Sequence, residues 1–324
     1  MLRVAFVGTF PASLAGPVRR HLTIPCDIVV SDDADIISRL AEVDVLVTMV
    51  LAAETGRAAT RIKLVQVPGA GLDRIDRSGL PDGASLANAY GHETGIAEYV
   101  IGAMLALTRE FSRVDAALRV GEWRSQWAVG SQSPPAWPEL AGKTIGVLGY
   151  GRIGQAVAQR LRAFNMKICA IRREIRLATN NDPALVGFPE MMDEVLQRSD
   201  YVVICMPATP ETIGSIDRRR LGLMKSTAFL INVSRAEIVE EDALYDALAQ
   251  RSIAGAALDV WYRYPRQPGP SAPAMRPFHE LPNVLMTPHV SGWTDGMLEA
   301  RAKLIAENIR RVGHGETPLN LVAG

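Results

Sequence analysis

The sequence predicts an α/β protein of two domains, each built on a parallel β-sheet. Short apolar strand candidates alternate with stretches of helical spacing, which is typical of βαβ units. The alternation occurs in two series, and the second series begins after Lys143, behind a long helix-compatible stretch from Ile96 to Val120. A chain of 324 residues is long enough to bury two hydrophobic cores.

The strand candidates follow one another at regular spacing in both series. The first series contains RVAFVG, DIVVS, DVLVTM and KLVQV, and the second contains TIGVLG, KICAIR, YVVICM, AFLINV and GAALDV. The tail from Trp293 to Val312 has helical periodicity. We expect this tail to pack on the first series, so that both ends of the chain share one domain.

Composition and charge argue against several classes of protein. The formal net charge is zero, which predicts no general attraction to nucleic acid or to a membrane surface. No apolar run approaches the roughly 18 residues of a membrane helix, and the chain start lacks the layout of a signal peptide. Three scattered cysteines favour buried thiols in a reducing compartment over disulfides or a metal site. We therefore expect a cytoplasmic protein without a metal.

A glycine-rich turn, GYGRIG, lies between a predicted strand and a predicted helix. Its glycines are Gly149, Gly151 and Gly154. In a dinucleotide-binding turn the first glycine makes the bend and the second lets the backbone approach a pyrophosphate. The third allows the helix to pack closely on the strand, with the phosphates at the helix N-terminus. The alternative is a structural turn that binds no ligand.

The strand after this turn ends in basic residues. A cofactor with a free ribose 2′-hydroxyl usually meets Asp or Glu at this point, where this chain has Arg172 and Arg173. Guanidinium groups bind a 2′-phosphate through charge-assisted hydrogen bonds, so the pair predicts NADP(H), with NAD(H) still possible. Glu174 is a carboxylate that can weaken this preference, and two solvated surface arginines are the alternative interpretation.

Seven ordered blocks of the sequence resemble the D-isomer-specific 2-hydroxyacid dehydrogenases, and together they cover nearly the whole chain. The blocks are GAGLDRID (69–76), NAYGHETGIAEYV (88–100), LAGKTIGVLGYGRIG (140–154), CMPATPET (205–212), INVSRAEIVEEDAL (231–244), AGAALDVW (254–261) and LPNVLMTPHVSGWT (281–294). The resemblance implies two Rossmann-like domains, with the cofactor domain inserted into the substrate domain. We place the substrate domain at 1–97 plus 292–324 and the dinucleotide-binding domain at 98–291. The resemblance also implies a homodimer that forms through the cofactor domain.

The same resemblance assigns roles to individual residues. Arg235 matches the arginine that grips the substrate carboxylate and carbonyl, and His289 matches the acid/base histidine. Asp259 matches a residue that holds the nicotinamide carboxamide, and the backbone at Gly69, Ala70 and Gly71 matches the loop that binds the substrate carboxylate. The remaining cofactor contacts that it implies are Tyr150, Arg152, Ile153, Met206, Pro207, Thr212, Val233 and Ser234. These residue types suit the reaction, because histidine can protonate an alkoxide and arginine can bind a carboxylate in bidentate fashion.

One position departs from the family pattern. The resemblance implies a glutamate before the proline that follows the ALDV strand, and this chain has Tyr264 there. A tyrosine hydroxyl can orient the imidazole of His289, but it lacks the charge that would stabilise the imidazolium. We therefore expect His289 to lose its proton at a lower pH than it would beside a glutamate, unless another carboxylate substitutes; Glu280 is the nearest glutamate in sequence.

Aromatic residues and a second histidine complete the candidate list. We expect the five tryptophans to be mostly core or cleft residues, and Trp293 is the best candidate to contact substrate or a partner subunit. His92 is expected to be a hydrogen-bonded structural residue rather than a second acid.

Together these features predict a reductase of a small 2-keto acid, such as glyoxylate or hydroxypyruvate, that works reversibly and prefers NADPH. A catalytically weak sensor that binds NADP(H) on the same fold is the alternative, and the substitution at Tyr264 motivates it. Formate oxidation is disfavoured because the acidic residue is absent at position 172 and the chain has no long N-terminal extension.

Overall fold

The computed structural model describes residues 1–31, 40–130, 136–173, 185–265 and 267–322, so Glu174 lies outside the described residues. The chain divides into two compact units, Met1–His92 with Trp293–Gly324, and Glu93–Gly292. The second unit is a single insertion into the sequence of the first, as the sequence predicts. None of the helices in the described ranges combines the length and the apolar sequence that a bilayer crossing requires.

Strands and α-helices are interspersed along both units of the described chain. The strands are β1 (Leu2–Val7), β2 (Cys26–Ser31), β3 (Val45–Thr48), β4 (Leu64–Gln66), β5 (Ser85–Ala87), β6 (Thr144–Leu148), β7 (Lys167–Ile171), β8 (Leu185–Gly187), β9 (Tyr201–Ile204), β10 (Phe229–Asn232), β11 (Gly255–Leu258) and β12 (Val284–Met286). The helices are α1 (Thr9–His21), α2 (Ala53–Ala58), α3 (Glu93–Thr108), α4 (Phe111–Arg119), α5 (Arg152–Leu161), α6 (Met192–Arg198), α7 (Arg218–Leu221), α8 (Glu241–Ala249) and α9 (Asp295–Gly313).

The first unit contains a five-stranded parallel sheet in the order β2-β1-β3-β4-β5. Strand β3 is buried along its whole length, as expected for a central strand with helices on both faces. One face of the sheet packs against α1 and α9, whose Leu14, Val18, Ile305 and Ile309 join the same apolar cluster as Val4 and Phe6. The predicted return of the C-terminal helix to the first series is therefore confirmed.

The second unit contains a seven-stranded sheet in the order β12-β11-β10-β9-β6-β7-β8. All six strand pairs are parallel. The chain builds outward from β6 through β7 to β8 and then starts again on the other side of β6 with β9. Ligands of open α/β sheets bind at such a reversal, outside the carboxyl ends of the strands.

The long helix-compatible stretch from Ile96 to Val120 is broken into two helices in the structure. Helix α3 ends at Thr108, and α4 begins at Phe111 after Glu110, whose φ is +51°. A left-handed residue cannot continue an α-helix, so the chain changes direction at this point. Helix α3 begins at Glu93 and contains the boundary that the sequence places between residues 97 and 98.

The tryptophan prediction is partly wrong. Trp261 is buried, but Trp123 and Trp127 have 63% and 80% of their surface exposed. The wrong residues lie just after α4, whose only buried residue is Ala117. The local sequence does not predict that these tryptophans are exposed, because large apolar side chains are usually buried.

Candidate active site

The predicted functional residues of the second unit lie at one edge of its sheet. The glycine turn follows β6, the arginine pair follows β7 and the CMPATPET segment follows β9. Arg235 comes three residues after β10, Asp259 directly after β11, and His289 three residues after β12. Because all the strands are parallel, their carboxyl ends meet at the same edge, and every one of these residues lies there.

The glycine turn has the shape that a dinucleotide pyrophosphate requires. Gly149 has φ +104°, and a Cβ there would lie 2.5 Å from the backbone nitrogen of Met206. A Cβ on Gly154 would lie 2.4 Å from the carbonyl oxygen of Gly149, so the third glycine allows the close packing of α5. A Cβ on Gly151 would meet nothing within 4 Å. The space beside Gly151 and the N-terminus of α5 is thus open to a phosphate.

Hydrogen bonds hold the neighbouring loops against this turn. The amides of Gly149 and Tyr150 both donate to the carbonyl of Ile171, at 3.1 and 2.9 Å, which fixes the end of β7 immediately before Arg172. On the other side, the amide of Cys205 donates to the carbonyl of Leu148 at 2.8 Å. Arg172 is half-buried and Arg173 is exposed.

The segment after β9 is a compact turn closed by a threonine. Thr212 Oγ1 donates to the carbonyl of Pro207 at 2.7 Å and accepts from the amide of Thr209 at 2.8 Å. Met206 is buried, and its carbonyl accepts a hydrogen bond from the Ser234 hydroxyl. The segment is therefore tied both to the glycine turn and to the loop that carries Arg235.

A buried asparagine shapes the loop around Arg235. Asn232 Oδ1 accepts from the amide of Ser234 at 3.1 Å, and Asn232 Nδ2 donates to the carbonyl of Arg235 at 2.9 Å. The Arg235 guanidinium donates through Nη1 to the carbonyl of Ser234 at 2.9 Å, and Val233 is buried. This bonding fixes the backbone from which the arginine side chain projects.

Asp259 is fully buried and accepts three hydrogen bonds from the loop that carries the histidine. Its Oδ1 accepts from the Thr287 hydroxyl at 2.6 Å and from the amide of Val290 at 2.8 Å, and its Oδ2 accepts from the amide of Ser291 at 2.8 Å. A buried carboxylate needs such donors to replace the hydrogen bonds that it would make to water. Asp259 thus fixes the backbone on both sides of His289, and its predicted contact with a nicotinamide carboxamide stays a prediction.

His289 and Tyr264 are brought together by this loop. The Tyr264 hydroxyl lies 2.8 Å from His289 Nδ1, and it accepts a hydrogen bond from the amide of Trp261 at 3.4 Å. Partial burial raises the pKa of the Tyr264 phenol, against the opposing effects of the Trp261 amide and of the nearby positive charge of Arg235. The phenol is therefore neutral at physiological pH, and Arg235 is its electrostatic neighbour. His289 itself has φ +59°, a conformation that histidine tolerates better than most residues.

The first unit holds the predicted carboxylate-binding loop after β4. The carbonyl of Gly69 accepts from the amide of Ala89 at 3.0 Å, and the carbonyl of Ala70 accepts from Asn88 Nδ2 at 3.0 Å. In a trans peptide the N–H points opposite to the C=O. The amides of Ala70 and Gly71 therefore both point away from the chain that follows β5.

Trp293 and His92 also belong to the first unit. The Trp293 ring makes an edge contact with Phe10, with centroids 5.6 Å apart, and half of its surface is exposed. His92 is buried, and its Nδ1 lies 3.2 Å from Nη2 of buried Arg301. This bond agrees with a structural role for His92.

Sequence reasoning missed several residues that hold the site. Thr287 bonds Asp259 through its hydroxyl, and its carbonyl accepts from Trp261 Nε1 at 2.8 Å; the Tyr99 hydroxyl on α3 lies 2.6 Å from Thr287 Oγ1. Asn232, which bonds the backbone of the loop that carries Arg235, is another residue of this kind. Asn232 and Thr287 lie inside blocks already singled out, INVSR and TPHVSG. The partners of Asn232 are local, but those of Thr287 are distant in sequence, and no local signal predicts them.

Comparisons with known proteins agree with this architecture. The sequence model described as "D-isomer specific 2-hydroxyacid dehydrogenase, NAD binding domain" matches residues 101–291. A glyoxylate reductase of Thermofilum pendens is 34% identical over an alignment 312 positions long, which covers 92% of this chain and 88% of that protein. A glyoxylate reductase of Pyrococcus furiosus is 35% identical over an alignment 303 positions long, which covers 89% of this chain and 84% of that protein.

A solved structure of the same class is also similar. The D-isomer specific 2-hydroxyacid dehydrogenase of Xanthobacter autotrophicus, in complex with NADPH and MES, superposes with a TM-score of 0.81 at 27% identity, covering 99% of this chain and 98% of that one. The sequence match and the fold both cover nearly the whole chain. The chain belongs to the D-isomer specific 2-hydroxyacid dehydrogenase family and is an oxidoreductase whose second unit is its nicotinamide-cofactor-binding domain.

Proposed function

We propose that this enzyme reduces a small 2-keto acid of the glyoxylate or hydroxypyruvate type, reversibly, with His289 as the acid and Arg235 as the substrate clamp. One observation carries the proposal: the His289 imidazole is held through Nδ1 by Tyr264, and Arg235 lies within electrostatic range of the same phenol. An acid/base histidine and a guanidinium at the same edge of the sheet suit an α-keto acid, which has a carbonyl to protonate and a carboxylate to bind. The names of the two glyoxylate reductases support the substrate class.

The chain's own residues divide the work of the reaction. Arg235 binds the carboxylate and polarises the carbonyl oxygen, where negative charge develops during reduction. The amides of Ala70 and Gly71 bind the carboxylate as well, and Trp293 is proposed to shape the space for the substrate side chain. When bound, the reduced nicotinamide supplies the hydride to the keto carbon. His289 donates the proton from Nε2 to the carbonyl oxygen, and in the reverse direction the neutral imidazole accepts it.

Tyr264 is proposed as the residue that orients the imidazole. With Nδ1 bonded to the phenol, Nε2 is the nitrogen left for the substrate oxygen. The phenol oxygen can accept a hydrogen bond from Nδ1–H of the imidazolium. It therefore stabilises the protonated histidine through this bond, without a negative charge of its own. Asp259 then acts through the backbone, because its three hydrogen bonds fix the loop on both sides of His289. Its Oδ2 retains a lone pair for the nicotinamide carboxamide.

We propose NADP(H) as the preferred cofactor. Arg172 and Arg173 follow β7 at the edge where the adenosine ribose of a dinucleotide lies, and both side chains have access to solvent. The similar dehydrogenase of X. autotrophicus was solved with NADPH. We assign the pyrophosphate to the turn Gly149–Gly154, with Tyr150 as a lining residue and the amides of Arg152 and Ile153 as donors; the Tyr150 amide itself is bonded to the carbonyl of Ile171. The remaining cofactor contacts are proposed for Met206, Pro207, Thr212, Val233 and Ser234.

A homodimer through the second unit is part of the proposal. Helix α4 and the segment up to Gly130 expose several large apolar side chains. Monomeric proteins rarely expose large contiguous apolar patches to water. The exposed residues are Phe111, Leu118, Val120, Trp123, Trp127 and Val129. Aromatic anchors of this kind are enriched in subunit interfaces.

The cytoplasmic location stays a prediction from the scattered cysteines.

Initial rates test this function. Oxidation of NADPH and of NADH is followed with glyoxylate, hydroxypyruvate, pyruvate and a bulkier 2-keto acid, at pH 6 and pH 8. We expect turnover with the small keto acids, faster at pH 6, and a lower KM for NADPH than for NADH. A preference for NADH would contradict the role of the arginine pair. Absence of turnover with every substrate, in protein that still binds cofactor, would contradict the substrate class.

A further inference from the structure

The turn that carries Tyr264 is attached to a segment that lies further along the chain. The amide of Arg263, the residue before Tyr264, donates to the carbonyl of Pro273 at 2.9 Å. Pro273 begins the segment Pro273–Arg276, in which Ala274 is buried. The backbone next to Tyr264 therefore depends on where this segment lies.

A single carboxylate of α8 binds two backbone amides of this segment. Glu241 Oε1 accepts hydrogen bonds from the amides of Met275 and Arg276, the latter at 2.8 Å. Glu241 is half-buried in the first turn of α8. Hydrogen bonds to a carboxylate are charge-assisted and stronger than those between neutral groups. Glu241 thus fixes the backbone at the end of Pro273–Arg276.

The side chain of Arg276 attaches the segment to the same helix a second time. Its Nη1 donates to Asp242 Oδ1 at 2.9 Å, and its Nη2 donates to Asp246 Oδ1 at 3.1 Å. Its guanidinium carbon lies 4.2 Å from the centroid of the Tyr245 ring, which is a cation–π distance. Two carboxylates and an aromatic face of α8 therefore orient one guanidinium group.

The ring of Tyr264 depends on its backbone for its position. Its surface is 40% exposed, so packing against other side chains orients it little. Its hydroxyl is bonded to His289 Nδ1 at 2.8 Å and to the amide of Trp261 at the longer distance of 3.4 Å. A shift of the backbone at Arg263 would therefore move the phenol away from the imidazole.

We propose that Glu241 and Arg276 are positioning residues for His289, which act through the segment Pro273–Arg276 and through Tyr264. They fix this segment on α8, the segment fixes the backbone beside Tyr264, and the phenol orients the imidazole. Each step is a printed-sequence neighbour or a hydrogen bond of the structure. The inference deepens the proposed function and rests on it, because it gives both residues an effect on the proposed acid.

Two pairs of variants test the inference, each with a matched control. Glu241→Ala removes the acceptor of both amides, whereas Glu241→Gln keeps a side-chain oxygen that can accept them. Arg276→Ala is compared with Arg218→Ala, because Arg218 on α7 also bonds Asp246, at 2.6 Å, and lies outside the segment. Glu241→Ala and Arg276→Ala are also made in the Tyr264→Phe background.

The first measurement is kcat for glyoxylate reduction, with the KM of NADPH. Glu241→Ala should lower kcat about three- to tenfold and leave the KM of NADPH within about twofold, because the imidazole loses orientation and the cofactor site is untouched. Arg276→Ala should lower kcat in the same direction. Glu241→Gln and Arg218→Ala should stay close to the unmodified enzyme. In the Tyr264→Phe background both alanine substitutions should change kcat by less than about twofold, since the bond that they support is already absent.

The second measurement needs no substrate. Amide hydrogen exchange of residues 261–264 is followed in the full-length protein. Exchange should be at least about fivefold faster in Glu241→Ala and Arg276→Ala, because the Pro273 carbonyl no longer holds the amide of Arg263. If Glu241→Ala does not fold, Arg276→Ala alone carries both measurements.

The outcomes separate this inference from the proposed function. Unchanged exchange at 261–264 in the alanine variants would overturn the inference. Equal losses of kcat with and without the Tyr264 hydroxyl would also overturn it, because the two residues would then act on stability and not through the phenol. If the unmodified protein reduces no keto acid, the proposed function fails; faster exchange in the alanine variants would then still support the attachment of the Tyr264 turn, and unchanged exchange would refute it.

Discussion

The hydroxyl of Tyr264 lies 2.8 Å from Nδ1 of His289 and accepts the amide hydrogen of Trp261 at 3.4 Å. Tyrosine therefore occupies, with a neutral group, the place where the family resemblance implies a glutamate. A phenol can orient an imidazole as well as a carboxylate can. It adds no negative charge, so it stabilises the imidazolium less.

The first prediction concerns pH. The proton donor is the imidazolium, and an unperturbed histidine titrates near pH 6.5. As pH rises through that pKa the donor is lost, so kcat/KM for keto-acid reduction should fall through neutrality. The phenol is not responsible for this fall, because the pKa of Tyr264 is raised above its usual value of 10.0. The pH dependence of kcat/KM with glyoxylate measures it, and a profile that stays flat to about pH 9 would refute the neutral-partner account.

Two variants of Tyr264 separate charge from orientation. Tyr264→Glu should move the alkaline limb of the profile to higher pH by about one unit, because a carboxylate stabilises the imidazolium. Tyr264→Phe should leave the limb near its place but lower kcat roughly tenfold, through loss of the bond to Nδ1. Identical profiles in all three proteins would mean that Tyr264 does not act on His289.

A second prediction concerns Asp259 and its three donors. In Asp259→Asn one acceptor oxygen becomes an NH2 group, which opposes the amide of Val290 or Ser291 across a buried contact. We expect a loss of about 2–3 kcal/mol in the free energy of unfolding. We also expect a loss of at least about tenfold in kcat at saturating cofactor, because the histidine loop moves.

A milder variant controls for the buried charge. Thr287→Val removes the hydroxyl that donates to Asp259 Oδ1 and bonds the Tyr99 hydroxyl, and it leaves both amide bonds to Asp259 in place. Its losses in thermal stability and in kcat should be in the same direction and smaller than those of Asp259→Asn. Wild-type kcat in Asp259→Asn would show that the loop does not depend on these bonds.

Two alanine substitutions in the glycine turn should behave differently. In Gly151→Ala the new Cβ points into open space, so Tm should stay within about 2 °C. The methyl group lies where a pyrophosphate approaches, and the affinity for NADPH should fall at least about tenfold. In Gly154→Ala the Cβ would meet the carbonyl oxygen of Gly149 at 2.4 Å, which should lower the free energy of unfolding by about 1–3 kcal/mol.

Thermal unfolding and calorimetric titration measure both effects. Normal NADPH binding by Gly151→Ala would place the pyrophosphate elsewhere. Equal loss of stability in the two variants would mean that the turn is tighter at Gly151 than the structure has it.

A further prediction concerns the exposed apolar segment after α4. Trp127→Glu places a charge in the proposed interface, where a desolvated unpaired carboxylate strongly opposes association. Sedimentation velocity at micromolar concentration should find a dimer for the unmodified protein and a monomer for the variant. Val30→Glu, at an exposed valine of β2 in the first unit, should remain a dimer. If the unmodified protein is found to be a monomer, the proposed interface is wrong.

The strands that the sequence predicted and those it missed differ in position within the sheets. All nine predicted strands have counterparts, while β5, β8 and β12 were missed, and each of these is an edge strand of three residues. An edge strand has one neighbour and buries fewer side chains, so its apolar pattern is weak. The break at Glu110 was missed for a related reason, since helical spacing continues through it and only the backbone conformation marks the turn.

The sequence blocks predicted part of the candidate site. The blocks that resemble the family supplied His289 and Arg235, and the strand–turn–helix order around GYGRIG supplied the glycine turn. The bond between Tyr99 and Thr287 joins residues 188 positions apart. Such partners are brought together by the tertiary fold, and the periodicity of the sequence does not predict them.

The central claim is that His289 is the acid of a keto-acid reductase, and one substitution tests it most directly. The rate of NADPH oxidation with glyoxylate at pH 6 is compared between the unmodified enzyme and His289→Gln, with NADPH affinity measured by titration in both. We predict turnover by the unmodified enzyme and a loss of roughly 100-fold or more in kcat for the variant, with NADPH affinity essentially unchanged. Turnover that survives the substitution, or an unmodified protein that binds NADPH and reduces no keto acid, would contradict the account.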